Sequence, residues 1–261
     1  MTAPILALEK ISKRFGAIVI ADGIDLALGE GEALGILGPN GAGKTTLFGI
    51  ISGTVQPDSG RVLYAGADIT AMSPERRCAV GIGKSLGASE SASGQAAGRY
   101  GIGRSFQIPQ PFDHLSVFEN LSVAALFGGG LSEAEAVQHC GRMLDLTGLE
   151  AKANRLAGSL PLLDRKRLEL ARALATKPRT LLLDEIAGGL TDAECHELVE
   201  TIRTIHAEGV GIIWIEHVVH ALLAVADRLL VIHFGRHLAQ GKPAAVMDDP
   251  EVRRVYLGLE G

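Results

Sequence analysis

The hydrophobic positions of the chain follow two different periods, which alternate along the sequence. Strands are predicted where apolar residues alternate with polar ones or form short unbroken runs: residues 5–15, 24–28, 32–37, 61–64, 179–183, 210–215 and 228–234. Helices are predicted where apolar residues recur at helical spacing: residues 44–52, 117–127, 132–147, 162–175, 192–208 and 217–226. Strands that alternate with helices are typical of α/β folds built on a parallel sheet.

The middle of the chain departs from this alternation. Residues 85–98 are rich in serine, alanine and glycine, which predicts a flexible loop. Residues 109–176 have only helical patterns. We therefore expect one domain, with an α/β core from residues 1–108 and 177–261 and an inserted helical subdomain from residues 109–176.

Composition narrows the function classes. The 261 residues carry a formal net charge of −5, which argues against nucleic acid as the main partner. Cys78, Cys140 and Cys195 are widely spaced and form no C-x-x-C pair, which favours a reducing cytosol over a disulfide framework or a zinc site. No secretion signal is evident, and no apolar run reaches the length of a membrane span.

Residues 38–45 (GPNGAGKT) fit the phosphate-binding pattern G-x-x-x-x-G-K-S/T between a predicted strand and a predicted helix. The glycines let backbone N–H groups and the helix start surround phosphate oxygens. We expect Lys44 to reach the β- and γ-phosphates of ATP and Thr45 to offer its hydroxyl to Mg²⁺. The predicted nucleotide contacts are Gly38, Pro39, Asn40, Gly41, Ala42, Gly43, Lys44, Thr45 and Thr46.

Two later strands end in polar residues that fit the same chemistry. Asp184 follows an apolar run and would hold Mg²⁺ through water, and Glu185 would activate the attacking water. A solvated acidic pair is the alternative. His217 ends the next apolar run, where it could bond to a γ-phosphate or be merely structural. His220 lies three residues on, but no further spacing supports zinc.

Together these segments resemble the ATPase subunit of ABC transporters over almost the whole chain. The resemblance makes residues 38–45 and 181–185 its Walker A and Walker B motifs, and His217 its switch histidine. It also implies that Gln107 links Mg²⁺ to the helical subdomain and that Phe15 stacks on adenine. The fold implied is a P-loop NTPase (RecA-like) core with an antiparallel β edge and an inserted α-helical subdomain.

Within that family the chain looks most like importers of branched-chain and other hydrophobic amino acids, or of amides. Residues 104–107, 117–121 (VFENL) and 255–258 (VYLG) carry this impression. The resemblance implies two ATPase subunits that close head to tail over two ATP molecules. It also implies integral membrane permease subunits, a periplasmic solute-binding protein acting through them, and a place on the cytoplasmic face of the inner membrane.

The family signature, Leu-Ser-Gly-Gly-Gln, is degenerate here. Its place reads Leu160-Pro161-Leu162-Leu163-Asp164. This segment lacks the serine hydroxyl and the small glycines, so we expect its direct contacts with the opposite subunit's γ-phosphate to be weakened. Asp164 would repel phosphate unless Arg165 or Lys166 compensates it. We therefore expect an asymmetric heterodimer with a second ABC ATPase subunit, although backbone N–H groups could still suffice.

Two further positions depart from the family pattern after Walker B. Ile186 replaces a proline, and Thr191 stands where an aspartate crosses the interface. Two other functions stay open at this point. One is a soluble ABC-type ATPase of DNA repair or translation, and the other is a regulatory module that binds ATP but hydrolyses it weakly.

Overall fold

A computed structural model describes residues 3–79, 101–105 and 109–257. The predicted loop at 85–98 and Gln107 lie outside the described residues. The strands are β1 (Leu6–Phe15), β2 (Ile18–Leu28), β3 (Ala33–Leu37), β4 (Ser59–Tyr64), β5 (Ala67–Asp68), β6 (Ile102–Arg104), β7 (Thr180–Asp184), β8 (Gly211–Ile215), β9 (Arg228–His233) and β10 (Arg236–Gly241). The helices are α1 (Lys44–Ser52), α2 (Pro74–Ala79), α3 (Val117–Val123), α4 (Glu133–Leu146), α5 (Leu162–Ala175), α6 (Asp192–Ala207), α7 (Val219–Val225), α8 (Pro243–Asp248) and α9 (Pro250–Leu257).

A sheet with the strand order β10-β9-β3-β8-β7-β6 forms the centre of the molecule. Its strands are parallel except β10, which pairs antiparallel with β9. Every residue of β3, β7 and β8 is buried. Parallel strands covered on both faces need apolar residues at every position, which explains the unbroken runs in the sequence. The predicted α/β class is confirmed.

A second sheet has the order β2-β1-β4-β5 and is antiparallel, as the resemblance implied. Strand β2 begins at Ile18, six residues before the predicted start at residue 24. Its first residues form an exposed hairpin with β1, and the side chain of Ile18 is 65% exposed. Because this hairpin lies away from the core, its residues do not alternate between apolar and polar, and the sequence pattern therefore did not predict a strand there. Strands β5, β6 and β10 were missed because they are short or polar.

Apolar layers cover both faces of the parallel sheet. Leu34 and Ile36 of β3 pack with Phe48 of α1 and with the antiparallel sheet. Leu37 of β3 and Trp214 of β8 belong to the layer that also contains α6, α7 and the helices α3 to α5. Because β3 is locked between both layers, the loop that follows it starts from a fixed position.

One predicted helix in the helical region is shorter than expected. Residues 117–127 were predicted as one helix, but α3 ends at Val123 and the chain continues as a π-helix over Ala124–Gly128. Capping boxes start α3, α4 and α6, with Ser116, Ser132 and Thr191 as the N-caps. Thr191 therefore has a structural task at the position where the resemblance expects an interface aspartate.

The described residues contain no helix long and apolar enough to cross a bilayer. All three cysteines are free thiols, and Cys140 and Cys195 are buried. Their pKa values are raised by burial, so they remain protonated at neutral pH and pack as small apolar groups.

The phenol of Tyr64 joins the antiparallel sheet to the parallel one. Its hydroxyl donates to the Gly101 carbonyl at 2.8 Å and lies 3.2 Å from Thr180 Oγ1. Burial raises the pKa of Tyr64 to about 12 from its ordinary value of 10.0. Folding thus favours the neutral phenol, and its contribution to stability is complete below pH 10 and is lost as the pH rises from 10 towards 12.

We therefore expect unfolding by urea to show a steeper loss of stability above pH 10 in the wild type than in Tyr64→Phe. Two pH units correspond to about 2.7 kcal/mol of the free energy of unfolding. Identical pH dependence of the two proteins between pH 9 and 12 would contradict this reading of Tyr64.

Candidate nucleotide-binding site

The loop between β3 and α1 has a backbone path that only glycine can follow at two positions. A Cβ atom on Gly38 would lie 2.3 Å from the Ile232 carbonyl oxygen, and one on Gly43 would lie 2.3 Å from that of Ile20. Gly43 also has φ +98° and offers no side chain to cap α1. The first N–H groups of α1 are therefore open to an anion.

A cavity of about 460 Å³ lies in front of this loop. It is lined by Ile20, Asn40, Gly41, Ala42, Gly43, Lys44, Thr45, Thr46, Glu185 and His217. The structure thus brings most of the predicted loop residues together with Glu185 and His217, which are more than 100 residues away in sequence. Ile20, on the exposed half of β2, joins the lining without having been predicted.

Lys44 occupies the base of the loop. Its Nζ donates to the carbonyls of Gly38 at 2.7 Å and Pro39 at 3.0 Å, and the residue is 5% exposed. Burial lowers the pKa of Lys44, while Glu185 and Asp184 act in the opposite direction. An ammonium group with so little water around it gains strongly from a bound polyanion, because the phosphates replace its lost hydration.

Asp184 ends β7 and is 2% exposed. Its Oδ2 accepts from Arg104 Nη2 at 3.1 Å, and no described residue gives Oδ1 a hydrogen-bond partner. Burial raises the pKa of Asp184, against the lowering effect of Arg104. A buried carboxylate oxygen that lacks a partner fits a cation site.

The carboxylate oxygen of Asp184 that is unpaired among the described residues is a suitable ligand for Mg²⁺ bound together with a nucleotide. The described residues contain no cluster of three or more His, Cys, Asp or Glu side chains able to hold a metal by themselves. Mg²⁺ in nucleotide sites needs only one or two protein oxygens, because the phosphates and waters complete its octahedron. Thr45 and Asp184 are oxygen donors of the required kind.

Glu185 has an unusual backbone and a defined partner. Its φ of +48° places a non-glycine residue in the left-handed region, and its N–H donates to the Ile215 carbonyl at 2.8 Å. His217 Nε2 lies 2.9 Å from Glu185 Oε1. A carboxylate only accepts, so Nε2 is the protonated nitrogen in this contact. Backbone strain of this kind costs about 1–3 kcal/mol and commonly marks functional positions.

Glu216 fixes the loops that carry this pair. It is 1% exposed, and its Oε2 accepts from Ala187 N at 2.9 Å. Its Oε1 accepts from the N–H groups of His217 at 2.8 Å and Val218 at 3.3 Å. One buried carboxylate thereby joins the segment after β7 to the segment after β8. The sequence shows Glu216 beside His217, but that adjacency alone did not reveal its role.

Replacing Glu216 with alanine should lower the free energy of unfolding by about 2 kcal/mol or more, since the buried Ala187 N–H and the partly buried N–H groups of His217 and Val218 lose a charged acceptor. Urea unfolding of the nucleotide-free protein measures this loss. Wild-type stability of Glu216→Ala would contradict the role assigned to the Glu216 carboxylate.

Lys166 brings a buried cation from α5 to the same region. It is 5% exposed; burial lowers its pKa, while Glu216 and Glu185 raise it. Helix α5 is therefore electrostatically coupled to the loops that hold Glu185 and His217. This link between helical region and core was not predicted, because it depends on tertiary packing.

The degenerate signature segment opens α5. Pro161 is the residue before the helix and provides no side-chain cap, and Leu162 is 44% exposed. The ion pairs of Asp164 among the described residues involve neither Arg165 nor Lys166, the two neighbours considered from the sequence. Arg165 instead donates to the carbonyls of Leu160 and Gly158.

Two other cations neutralise Asp164, which is itself only 2% exposed. Lys152 Nζ lies 2.5 Å from its Oδ2, and Arg167 Nη1 lies 3.9 Å from its Oδ1. The Asp164 charge is thus turned inward and balanced. What α5 presents outward at this end is Leu162 together with its first-turn N–H groups.

Other predicted residues lie outside the cavity. Gly38 and Pro39 hold Lys44 through their carbonyls but are not lining residues. Phe15 ends β1, is 51% exposed and has Lys13 Nζ 5.3 Å from its ring centre. Gln107 falls outside the described residues, whereas its neighbour Arg104 makes the contact with Asp184 described above.

Comparison with known families identifies this arrangement. The family described as "ABC transporter" matches residues 21–188 of the chain, and the family described as "Branched-chain amino acid ATP-binding cassette transporter" matches residues 236–260. The first match spans the phosphate loop, Asp184 at the end of β7 and Glu185 directly after it. The chain belongs to the ATP-binding cassette family of ABC transporters and is an ATPase of that class.

Individual relatives cover nearly the full length. The chain is 33% identical to the "High-affinity branched-chain amino acid transport ATP-binding protein BraF" of Pseudomonas aeruginosa, covering 99% of each. It has the same identity and coverage with LivG of Escherichia coli, of the same description. It is also 33% identical to the "Lipopolysaccharide export system ATP-binding protein LptB" of Acidithiobacillus ferridurans, covering 97% of each.

Solved structures agree on the fold. The ADP conformation of MJ1267, an ATP-binding cassette of an ABC transporter, superposes with a TM-score of 0.82 at 30% identity, over 99% of this chain and 100% of that one. A nucleotide-free cassette of an ABC transporter gives a TM-score of 0.81 at 29% identity, over 98% and 100%.

Proposed function

We propose that the chain is the ATP-hydrolysing subunit of an importer for branched-chain amino acids or related solutes such as amides. The names of BraF and LivG support this solute class. Overall identity does not choose between import and export, because the relative LptB is equally similar. The match of residues 236–260 to the branched-chain amino acid family is the observation that favours the importer.

The cavity in front of the phosphate loop supports the assignment of the catalytic parts. Backbone N–H groups of residues 40–46 and Lys44 hold the β- and γ-phosphates. Thr45, Asp184 and Gln107 hold Mg²⁺, Asp184 through water, and the bound ion supplies charge neutralisation on the phosphates. Phe15 stacks on adenine, as the family resemblance implies.

Glu185 and His217, which follow β7 and β8, carry out hydrolysis. Glu185 accepts a proton from the attacking water, and the 2.9 Å contact from His217 orients its carboxylate. His217 also reaches the γ-phosphate. The Glu216 carboxylate holds both loops in register while the nucleotide binds and leaves.

The signature segment supports an asymmetric heterodimer. The site of this chain is completed by a second ABC ATPase subunit that carries an intact signature. The phosphate loop of that partner faces Pro161 and Leu162, which offer neither a hydroxyl group nor the close approach of glycine. One site is then strong and the other weak. ATP binding closes the pair, and residues 109–176 transmit this movement as a helical subdomain.

The remaining partners follow from the importer assignment. Integral membrane permease subunits bind the pair of ATPase subunits, and a periplasmic solute-binding protein acts through those permeases. The chain is then a peripheral protein on the cytoplasmic face of the inner membrane, and no nucleic acid takes part. Co-purification with permease subunits distinguishes this function from a soluble ABC-type ATPase.

Restoring the signature tests the asymmetry. Pro161→Ser, Leu162→Gly and Leu163→Gly together keep the balanced Asp164, and should raise ATP turnover at the partner's site in the heterodimer. We expect a gain of about tenfold or more, since each new donor to transferring phosphate contributes several kcal/mol. Turnover by the purified chain alone and with a paralogous partner provides the baseline.

Full activity of the chain as a homodimer, unaffected by these substitutions, would contradict the asymmetry. Asp164→Gln alone is the control for the signature test. It should lower stability because Lys152 loses its partner, while Arg167 keeps its ion pair with Glu197, and it should not restore turnover. Negligible turnover in every assembly would instead favour a regulatory module that binds ATP.

A further inference from the structure

The end of β1 that carries Phe15 lies beyond the support of the neighbouring strand β4. The pairing of β1 with β4 ends at Ser12 and Ser59, so the last residues of β1 pair only with β2. There Phe15 pairs with Ile18 in the exposed hairpin. Because a two-stranded hairpin is only marginally stable by itself, the position of Phe15 needs support from another part of the chain.

Asp58 provides this support by contacting three consecutive residues of β1. Its N–H donates to the Ser12 carbonyl at 2.9 Å, and its Oδ1 accepts from Lys13 Nζ at 2.7 Å. Its Oδ2 accepts from the N–H of Arg14 at 2.7 Å. The hydrogen bond from Lys13, followed by that from Arg14, lowers the pKa of Asp58, so the carboxylate is ionised at neutral pH. Asp58 thus holds the end of β1 where the pairing with β4 has stopped.

Lys13 links this contact to the aromatic ring. Its side chain is only 15% exposed, and its Nζ lies over the ring of Phe15, 5.3 Å from the ring centre. That distance is within the range of a cation–π interaction. Since the ammonium group covers one face of the ring, a planar ligand can stack only on the opposite face. Phe15 is half-exposed, which leaves ring surface for such a ligand.

The same hairpin reaches the nucleotide cavity through Ile20. The register of β1 against β2 shifts between Lys13 and Arg14, so that Ile20 is an extra residue of β2 at this point. Bulges of this kind re-aim side chains and are common next to active sites. Ile20 lines the cavity, and its carbonyl oxygen packs directly against Gly43 of the phosphate loop. The hairpin that carries Phe15 is therefore fixed to the nucleotide site.

We propose that Lys13 and Asp58 are positioning residues for the base of the nucleotide: they hold the Phe15 ring so that adenine stacks on its uncovered face. This inference rests on the proposed function, in which Phe15 stacks on adenine. The phosphates are held separately, by a loop that follows the buried strand β3. Lys13 and Asp58 therefore affect the binding of the base and not that of the phosphates.

The affinity for ATP, compared with that for inorganic triphosphate, which has no base, tests the proposal. Calorimetric titration of the full chain with Mg²⁺ present measures both. Lys13→Met should weaken ATP binding about two- to fivefold, the range of an exposed cation–π interaction, and leave the affinity for triphosphate unchanged. Lys13→Arg keeps a cation for the ring and should bind ATP as the wild type does. Asp58→Ala should weaken ATP binding at least as much as Lys13→Met, because it also releases the Arg14 N–H.

Lys10→Met is the matched control for these substitutions. Lys10 is an exposed residue of the same strand, and its replacement removes the same charge. It should change neither affinity. Urea unfolding of each variant identifies any loss of binding that is due to loss of the fold, and Lys13→Met against Lys13→Arg decides the matter if Asp58→Ala does not fold.

Phe15→Leu separates this inference from the proposed function. If Phe15 stacks on adenine, Phe15→Leu weakens the binding of ATP but not of triphosphate, and Lys13→Met then has no further effect in that background. Unchanged ATP affinity in Phe15→Leu would refute the stacking and this inference with it. A selective loss in Phe15→Leu, together with wild-type ATP binding by Lys13→Met, would overturn the inference alone. Equal losses for ATP and triphosphate in Lys13→Met, or an undiminished effect of Lys13→Met without Phe15, would also overturn it.

Discussion

Replacing Lys44 with alanine is expected to lower ATP turnover about 100-fold or more, and to weaken ATP binding with it. Lys44 is the buried cation of the phosphate loop, held by the Gly38 and Pro39 carbonyls at the base of the cavity. Removing one preorganised donor from a developing charge costs about 2.7–4 kcal/mol in comparable sites. Steady-state phosphate release, together with equilibrium binding of a fluorescent ATP analogue, measures both effects.

Lys242→Ala is the matched control for this substitution. Lys242 is exposed before α8, and it changes the net charge by the same amount outside the residues that line the nucleotide cavity. Its turnover should equal that of the wild type. Wild-type turnover by Lys44→Ala would show that the phosphates bind elsewhere and would refute the assignment of the cavity.

Replacing Glu185 with glutamine should leave ATP binding intact and lower turnover about 10²- to 10⁴-fold, the usual contribution of a general base. The two side chains have nearly the same shape, so the contact from His217 and the strained backbone at Glu185 can persist. The ATP-bound dimer should then accumulate in its closed form. Single-turnover hydrolysis and size-exclusion chromatography with ATP measure the two consequences.

Glu133→Gln serves as the control here, because Glu133 is an exposed first-turn residue of α4. It should hydrolyse ATP at the wild-type rate and elute as the wild type does. Unchanged turnover in Glu185→Gln would reject Glu185 as the base. Loss of ATP binding in that variant would mean that the residue holds the nucleotide instead.

The parts of the fold that follow from local patterns could be predicted. The parallel strands appear as unbroken apolar runs because both faces are covered, and α1 begins at the residue predicted for it. The phosphate loop was readable because its chemistry is concentrated in eight consecutive residues. The exposed hairpin half of β2 was not, since neither face gives a burial signal.

Contacts between residues that are distant along the chain could not be predicted from the sequence. Arg104 lies 80 residues from Asp184, and nothing in its own motif indicates that it reaches that carboxylate. The residues that neutralise the negative charge of Asp164 are a second example. Arg165 and Lys166 were considered for this role because they follow Asp164 directly, but Arg165 donates to the Leu160 carbonyl, and Lys152 pairs with Asp164 instead. Charge pairing depends on which face of a helix is buried, and that depends on the packing of the whole helical region.

The central claim is that this chain contributes the working nucleotide site of an asymmetric pair. Its most direct test is ATP turnover by the chain assembled with a paralogous ATPase subunit, with the catalytic glutamate changed to glutamine in one subunit at a time. The account predicts that Glu185→Gln removes nearly all turnover and that the equivalent change in the partner leaves most of it. Equal losses from the two substitutions, or a greater loss from the partner's, would contradict the account.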